Sequence, residues 1–159
     1  MPIDIRTFRD AMGRFASGVT VITTATADGR PSGLTASSFC SVSLDPPLVL
    51  FCLGRVSPSF VDFDAADHFA VNILRQDQEH LSRRFAARDT DIWNGVAYDT
   101  WPSGCPILPG VLASMECRKV QTHNGGDHVI IVGEMLQAKI DDDGAEPLVY
   151  HWGAYRRLS

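Results

Sequence analysis

The run from Gly33 to Leu53, GLTASSFCSVSLDPPLVLFCL, limits the possible folds more than any other part of the chain. It opens on small and hydroxyl residues, passes Pro46-Pro47 and closes in apolar LVLFCL. Two successive prolines remove two ladder donors, so they belong in a turn or at the first residue of a strand. The flanks then read as strands: Ser32 to Val42 before the prolines, and a continuously buried strand from Leu48 to Leu53 after them. Within the first, Thr35-Ala36-Ser37-Ser38 has little side-chain bulk to shield its N–H and C=O groups. Such a run suits main-chain contact with a flat, polar-edged ligand. It equally suits an ordinary strand with a Ser-rich face.

The remaining segments extend this pattern. Asp4 is placed to cap a first helix, with Phe8, Met12 and Phe15 as one apolar stripe and Gly18 as its stop. The stripe reads as core or subunit contact. Val19 to Thr26 is β-branched and reads as a strand. Asp28-Gly29 then predicts a hairpin with both turn positions at positive φ. Ser57 predicts an N-cap and Pro58 a first helical position, opening a short helix to about Asp67. That helix end is a plain cap or an anion site, and Arg55 could add charge to it. A strand over Phe69 to Leu74 is followed by a helix capped by Asp77 and running to about Ala87, with Leu81 and Phe85 on one face. Arg83, Arg84 and Arg88 near its end either complement the helix dipole or reach an anion held at Ser57. Thr90 to Pro109 is irregular, with Trp93, Tyr98 and Trp101 tucked inward or covering a ligand. A long strand, Val111 to His123, turns at Asn124-Gly125-Gly126-Asp127 into its return, His128 to Ile140. A last short strand begins at Leu148 to Tyr150.

Composition removes several function classes. The 159 residues are expected to form one domain over 1–159. A formal net charge of -5 argues against a nucleic-acid partner, which needs concentrated Lys and Arg. No apolar run approaches the length that spans a bilayer, so no membrane partner is expected. The opening MPIDIRTFRD lacks the basic and apolar regions of a signal peptide, so a cytoplasmic location is expected. Cys40, Cys52, Cys105 and Cys117 contain no C-x-x-C pair and read as reduced, structural thiols. There is no dinucleotide-binding glycine fingerprint, P-loop, nucleophile elbow or H-E-x-x-H. His123 and His128 have only Asp127 as a near third ligand, and no metal is expected. What remains is a small-residue strand, a hydroxyl-rich helix end at Ser57-Pro58-Ser59 and a glycine turn ending in His128. Together they describe a planar ring read by backbone, a phosphate at a helix end and an open side lined by histidine. That description fits a flavin mononucleotide site with room for a second ligand.

Six or seven strands in hairpin order, with two or three helices between, favour an antiparallel, mainly β fold. A closed or split barrel with peripheral helices fits better than a doubly wound sheet. The chain resembles the short-chain flavin reductases, the reductase components of two-component flavin monooxygenases, over nearly its whole length. The matching blocks are FRDAMGRFASGVTVITT, GLTASSFCSVSLDPPLVLFCL, FAVNIL, GDHVIIVGE and PLVYHWGAYRRL. The resemblance implies an FMN-binding split β-barrel, a homodimer and flavin near the subunit interface. It implies that Thr35, Ala36, Ser37 and Ser38 hold the isoalloxazine, that Cys52 lies beside the ribityl chain, and that Ser57 and Ser59 bind phosphate with Arg84 as a further contact. It assigns Gly126, Asp127 and His128 to the nicotinamide. His128, the candidate catalytic residue, is expected to orient that ring rather than move a proton. Trp152, near Tyr150 in the closing block, stands where many members carry a basic residue. The implied activity is NAD(P)H:flavin oxidoreduction with FMN or FAD and NADH or NADPH, supplying reduced flavin to a flavin-dependent monooxygenase. The alternatives are an FMN-containing reductase of another acceptor, such as a corrinoid or ferric complex, and a flavin-binding module without turnover.

Overall fold

The computed structural model describes residues 1–159, and most of the chain is built around one antiparallel sheet. In chain order the elements are α1 (Ile5–Met12), β1 (Ser17–Gly18), β2 (Thr20–Ala25), β3 (Pro31–Ala36), β4 (Cys40–Leu44), β5 (Pro47–Gly54), α2 (Phe60–Ala65) and β6 (His68–Ile73). A 3-10 turn (Gln76–Gln78) leads into α3 (Glu79–Ala86), followed by β7 (Asp99–Thr100), β8 (Pro106–Ile107), β9 (Ala113–Gly125), β10 (His128–Ile140), β11 (Val149–His151) and β12 (Ala154–Arg156). Seven strands form the main sheet in the order β3-β2-β6-β9-β10-β5-β4. A three-stranded sheet joins β1, β11 and β12, and β7 pairs with β8 alone.

The outermost strands, β3 and β4, are consecutive in the chain and joined only by Ser37-Ser38-Phe39. Four peptide steps reach at most about 14 Å, so the sheet has to curl to bring its edges together. No ladder joins β3 to β4, and the curled sheet stays split along that seam. Ser32 to Val42 is therefore two strands, not one. The small, hydroxyl-bearing residues at the break have no apolar side chain to hold them in a continued ladder.

The core lies inside the curl. On β5, Val49, Phe51 and Leu53 are buried while Leu48, Leu50 and Cys52 are only partly so. LVLFCL is thus buried mainly on one face, because β5 lies next to the edge. Phe51 meets Phe63 and Phe69 edge-on, with ring centroids 5.7 and 5.0 Å apart. Each such ring is worth about 1.5–3 kcal/mol when removed from water. A second cluster, including Val19, Val21, Leu74, Phe85 and Leu108, fills the space beneath α3. Buried Asn72 ties the irregular segment to the sheet: its Nδ2 donates to the Val21 carbonyl at 3.1 Å, and its Oδ1 accepts from Leu108 N at 3.0 Å.

Several expected boundaries move for local reasons. Asp4 caps α1 by accepting from Thr7 N at 2.9 Å, but the helix ends at Gly13, a weak helix former, while Gly18 pairs with Val149. Phe8, Met12 and Phe15 are 56, 55 and 77% exposed, so the stripe is not core of this chain. In the β2–β3 hairpin only Gly29 has positive φ. Gly29 N donates to the Thr26 carbonyl at 2.9 Å, making a looser turn than the two-residue form expected at Asp28-Gly29. Asp77 does not cap α3, because Gln78 Oε1 accepts from Arg75 N at 2.9 Å and closes the 3-10 turn first. The β9–β10 hairpin forms where expected, with Gly125 opposite His128, leaving Gly126 at φ 75° and Asp127 as a two-residue turn.

Gly133 in β10 faces Phe69: a Cβ built there would lie 2.4 Å from Phe69 Cζ and 3.1 Å from Cys117 Cβ. Neither neighbour has room to retreat, since both are fully buried. Gly133→Ala should cost about 1–3 kcal/mol by overpacking. Thermal unfolding should show a fall in Tm of about 2–4 °C per kcal/mol for a chain of this size.

Candidate flavin site

A cavity of about 680 Å³ opens where β3, the end of β5, the start of α2, the end of α3 and the β9–β10 turn converge. Its wall includes Thr35, Ser57, Ser59, Asp127 and His128 from the expected set, with Arg55, Phe85, Arg88 and Ile92 besides. Residues separated by more than 90 positions thus meet at one mouth, brought there by the curl of the sheet. The volume falls within the roughly 300–1,000 Å³ of small-molecule sites.

The β3 wall is anchored from behind. Thr35 Oγ1 donates to the Ser82 carbonyl at 2.6 Å, and Ser82 Oγ and Tyr155 OH are hydrogen-bonded at 2.6 Å. Just beyond this wall, the N–H groups of Ser37, Ser38 and Phe39 have no backbone acceptor. Ser38 Oγ takes the place of a further rung of the β4–β5 ladder, accepting from Cys52 N at 3.0 Å and donating to the Cys52 carbonyl at 3.2 Å. Ala36 is buried, and Thr20 Oγ1 donates to its carbonyl at 2.7 Å. Ala36, Ser37, Ser38 and Cys52 adjoin the cavity in sequence but do not line it. Cys52 shares a face of β5 with Gly54, which does.

The hydroxyl end differs from the helix cap expected there. Helix α2 starts at Phe60, so Pro58 precedes it. Ser57 Oγ accepts from Ser59 N at 3.3 Å in a local turn. Ser59 Oγ points inward and donates to the Gly33 carbonyl at 3.0 Å. The start of this six-residue helix therefore has no side-chain cap. Arg84, expected as a phosphate contact, is turned away from the cavity and donates to the carbonyls of Ile92 and Asn94. The arginine of this cluster that does line the wall is Arg88, two residues past the end of α3, which makes no ion pair. The basic cluster at the end of α3 is legible in sequence; which arginine faces inward depends on the path of the following loop.

At the opposite side, His128 Nδ1 lies 2.7 Å from Asp127 Oδ1, and His128 remains half exposed. That hydrogen bond, then the charge of His128, holds the Asp127 carboxyl below its ordinary range. The pairing is complete above the usual Asp pKa and is lost as pH falls through the lowered value. Arg55 clamps this turn: its backbone N donates to the Asp127 carbonyl at 2.9 Å, Nε to the Gly126 carbonyl at 3.0 Å and a terminal nitrogen to Asn124 Oδ1 at 2.6 Å. Gly126 shapes the turn without lining the cavity.

The Flavin reductase like domain family matches residues 12–159. The chain belongs to this flavin reductase family. It is 45% identical over 154 residues to the FMN reductase (NADH) SmoA of Agrobacterium fabrum, covering 97% of this chain and 86% of that protein. It is 38% identical to the flavin-dependent monooxygenase reductase subunit HsaB of Mycobacterium tuberculosis, covering 96% and 82%. Among solved structures, the NADH:FAD oxidoreductase SgcE6 of Streptomyces globisporus, in complex with NAD and FAD fragments, superposes with a TM-score of 0.91 at 36% identity, covering 100% of this chain and 97% of that one. A structure from Sinorhizobium meliloti gives a TM-score of 0.94 at 41% identity, with this chain spanning 99% of itself but 54% of the longer protein.

In this family member the Ser59 hydroxyl is also a strut. Ser59→Ala leaves the Gly33 carbonyl without that partner in a buried setting, and should cost about 1–3 kcal/mol. Urea denaturation should register the loss, with Ser57→Ala costing clearly less because its bond is long, local and partly solvated.

Proposed function

We propose that the protein is an NAD(P)H:flavin oxidoreductase that supplies reduced FMN or FAD to a partner flavin-dependent monooxygenase. The single observation that carries this is the convergence, in one cavity, of the Thr35 wall, the Ser57-Ser59 hydroxyls with Arg88, and the Asp127-His128 turn. A flat ring with a phosphate tail matches the first two. A second planar ligand has the histidine side left to it. The names of the relatives SmoA and HsaB support the same reading.

The residues present fit a flavin. The unpaired N–H groups at Ser37, Ser38 and Phe39 lie next to a wall that ends in a split seam, where a polar ring edge can replace missing ladder partners. Bound flavin supplies the acceptor for the hydride of NADH or NADPH, so that NAD(P)H and a proton yield NAD(P)+ and reduced flavin. The protein aligns two flat faces at contact distance and excludes competing reactions. Main-chain N–H groups meet the negative charge that builds at the pyrimidine edge. Ser57 holds phosphate through its free hydroxyl proton, Ser59 joins it by exchanging the Gly33 carbonyl for the phosphate, and Arg88 takes the role first expected of Arg84. His128, oriented by Asp127 and by the Arg55 clamp, orients the nicotinamide.

NADH oxidation with FMN, FAD or riboflavin tests the activity directly, and absence of turnover with all three overturns it. Ser57→Ala combined with Ser59→Ala should weaken FMN at least tenfold more than riboflavin in fluorescence titrations. Equal losses would place the phosphate elsewhere.

We further propose a homodimer. The exposed row of Phe8, Met12 and Phe15 on and after α1 supports it, since single apolar residues are common on surfaces but an aligned row asks for a partner. Sedimentation equilibrium should give twice the 17.4 kDa chain mass, and Phe8→Glu with Met12→Glu should shift it toward the single chain.

A further inference from the structure

Residues 88–98, between α3 and β7, have few bonds of their own. Asn94 N donates to the Asp91 carbonyl at 3.2 Å and Val96 N to the Trp93 carbonyl at 3.0 Å, and both bonds close local turns. Asp89 Oδ1 accepts from Asp91 N at 3.1 Å, again within the segment. Arg88, Asp89 and Asp91 form no ion pair. Yet Arg88, Asp89 and Ile92 line the flavin cavity, so this wall needs an outside hold.

Arg84 supplies it. Its Nε donates to the Ile92 carbonyl and a terminal nitrogen to the Asn94 carbonyl. These are the only hydrogen bonds that join residues 88–98 to the rest of the chain. No carboxylate competes for the donors of Arg84. The two carbonyls flank Trp93, so one rigid, planar fork grips the backbone on both sides of the indole.

The indole reaches the cavity wall. Trp93 meets Phe85 edge-on with ring centroids 4.8 Å apart, and Tyr98 at 5.2 Å. A Cβ built on Gly33 would lie 3.2 Å from Trp93 Cζ2 and 3.3 Å from Phe85 Cδ1, so both rings pack against bare backbone of β3. Gly33 and Phe85 line the cavity, and the Gly33 carbonyl is the acceptor of Ser59. Trp93 Nε1 is buried without a partner. Packing alone holds the ring, and its seat depends on the backbone that carries it.

Resting on the flavin reductase reading above, we propose that Arg84 is a positioning residue for flavin binding. It grips the segment around Trp93, seats the indole on Gly33 and Phe85, and sets the cavity wall from outside without touching the flavin. This role and a phosphate contact make opposite demands. A cation that meets phosphate adds nothing for riboflavin, which has none. A cation that sets the wall serves riboflavin, FMN and FAD, since all three share the ring.

Fluorescence titration of the full chain with the three flavins tests this. Arg84→Ala should raise every Kd about tenfold, riboflavin included, as a wall displaced by about 1 Å would. With saturating riboflavin its kcat should move less than twofold, because Arg84 touches no reacting atom. Arg84→Lys should lose affinity likewise, since an ammonium keeps the charge but not the fork; it carries the same comparison if the alanine variant fails to fold. Millimolar guanidinium should restore affinity to Arg84→Ala where equimolar NaCl does not. Adding Trp93→Phe to Arg84→Ala should cost less than the sum of the two single changes, because one acts through the other. Losses for FMN and FAD with riboflavin unchanged would make Arg84 a phosphate contact and overturn the proposal. Unchanged affinity for all three, or additive effects of the two substitutions, would overturn it as well. Flavin binding by the unaltered chain reports separately: binding there with no change in the variants sinks only the positioning role, and no binding of any flavin sinks the reading it rests on.

Discussion

The three-residue link between β3 and β4 governs the rest of the molecule. It forces the two outer strands of a seven-stranded sheet close together without letting them pair. Backbone donors and acceptors at such a seam need partners, because an unpaired polar group removed from water costs about as much as a lost hydrogen bond. Ser38 answers part of the demand by bonding both polar atoms of the Cys52 main chain. The rest is left to solvent or to a ligand with a polar edge. The split thus follows from the short link, and it leaves main-chain donors of Ser37, Ser38 and Phe39 open beside the cavity wall.

Much of this was legible in the residues, and the exceptions share a cause. Hairpins declared themselves through Gly29 and the Gly125-Gly126 turn, and strands through β-branched runs, because those signals are local. The antiparallel, mainly β fold followed from their order. Thr35, Ser57, Ser59, Asp127 and His128 were found as a set and are brought to one cavity. Arg84 and the Pro58 helix start were misjudged because their outcome is decided by tertiary partners: the carbonyls of Ile92 and Asn94 in one case, the Gly33 carbonyl in the other. A side chain with a long reach or a free hydroxyl gives little local indication of where it will bond.

Charge is divided around the cavity with little overlap. Arg55 spends its backbone N–H, Nε and one terminal nitrogen on the β9–β10 turn, which leaves it a fixing role more than a ligand role. Arg88 has no carboxylate partner and keeps its charge at the hydroxyl end. Asp127 is tied to His128, so the turn presents a histidine with one ring nitrogen already engaged. The cation left without a carboxylate and the cation that holds geometry are therefore different residues, even though both border the same space.

Thr35, Ser82 and Tyr155 stand in one chain of short hydrogen bonds, running from the cavity wall through α3 to the hairpin of β11 and β12. Evolution can alter neither Ser82 nor Tyr155 freely. A lineage that exchanged Tyr155 for phenylalanine would leave the buried Ser82 hydroxyl in want of a partner, and selection would then favour a compensating change at position 82. Among descendants of a common ancestor positions 82 and 155 should therefore be inherited as a pair, while position 35, bonded only to the main chain of residue 82, can drift apart from them.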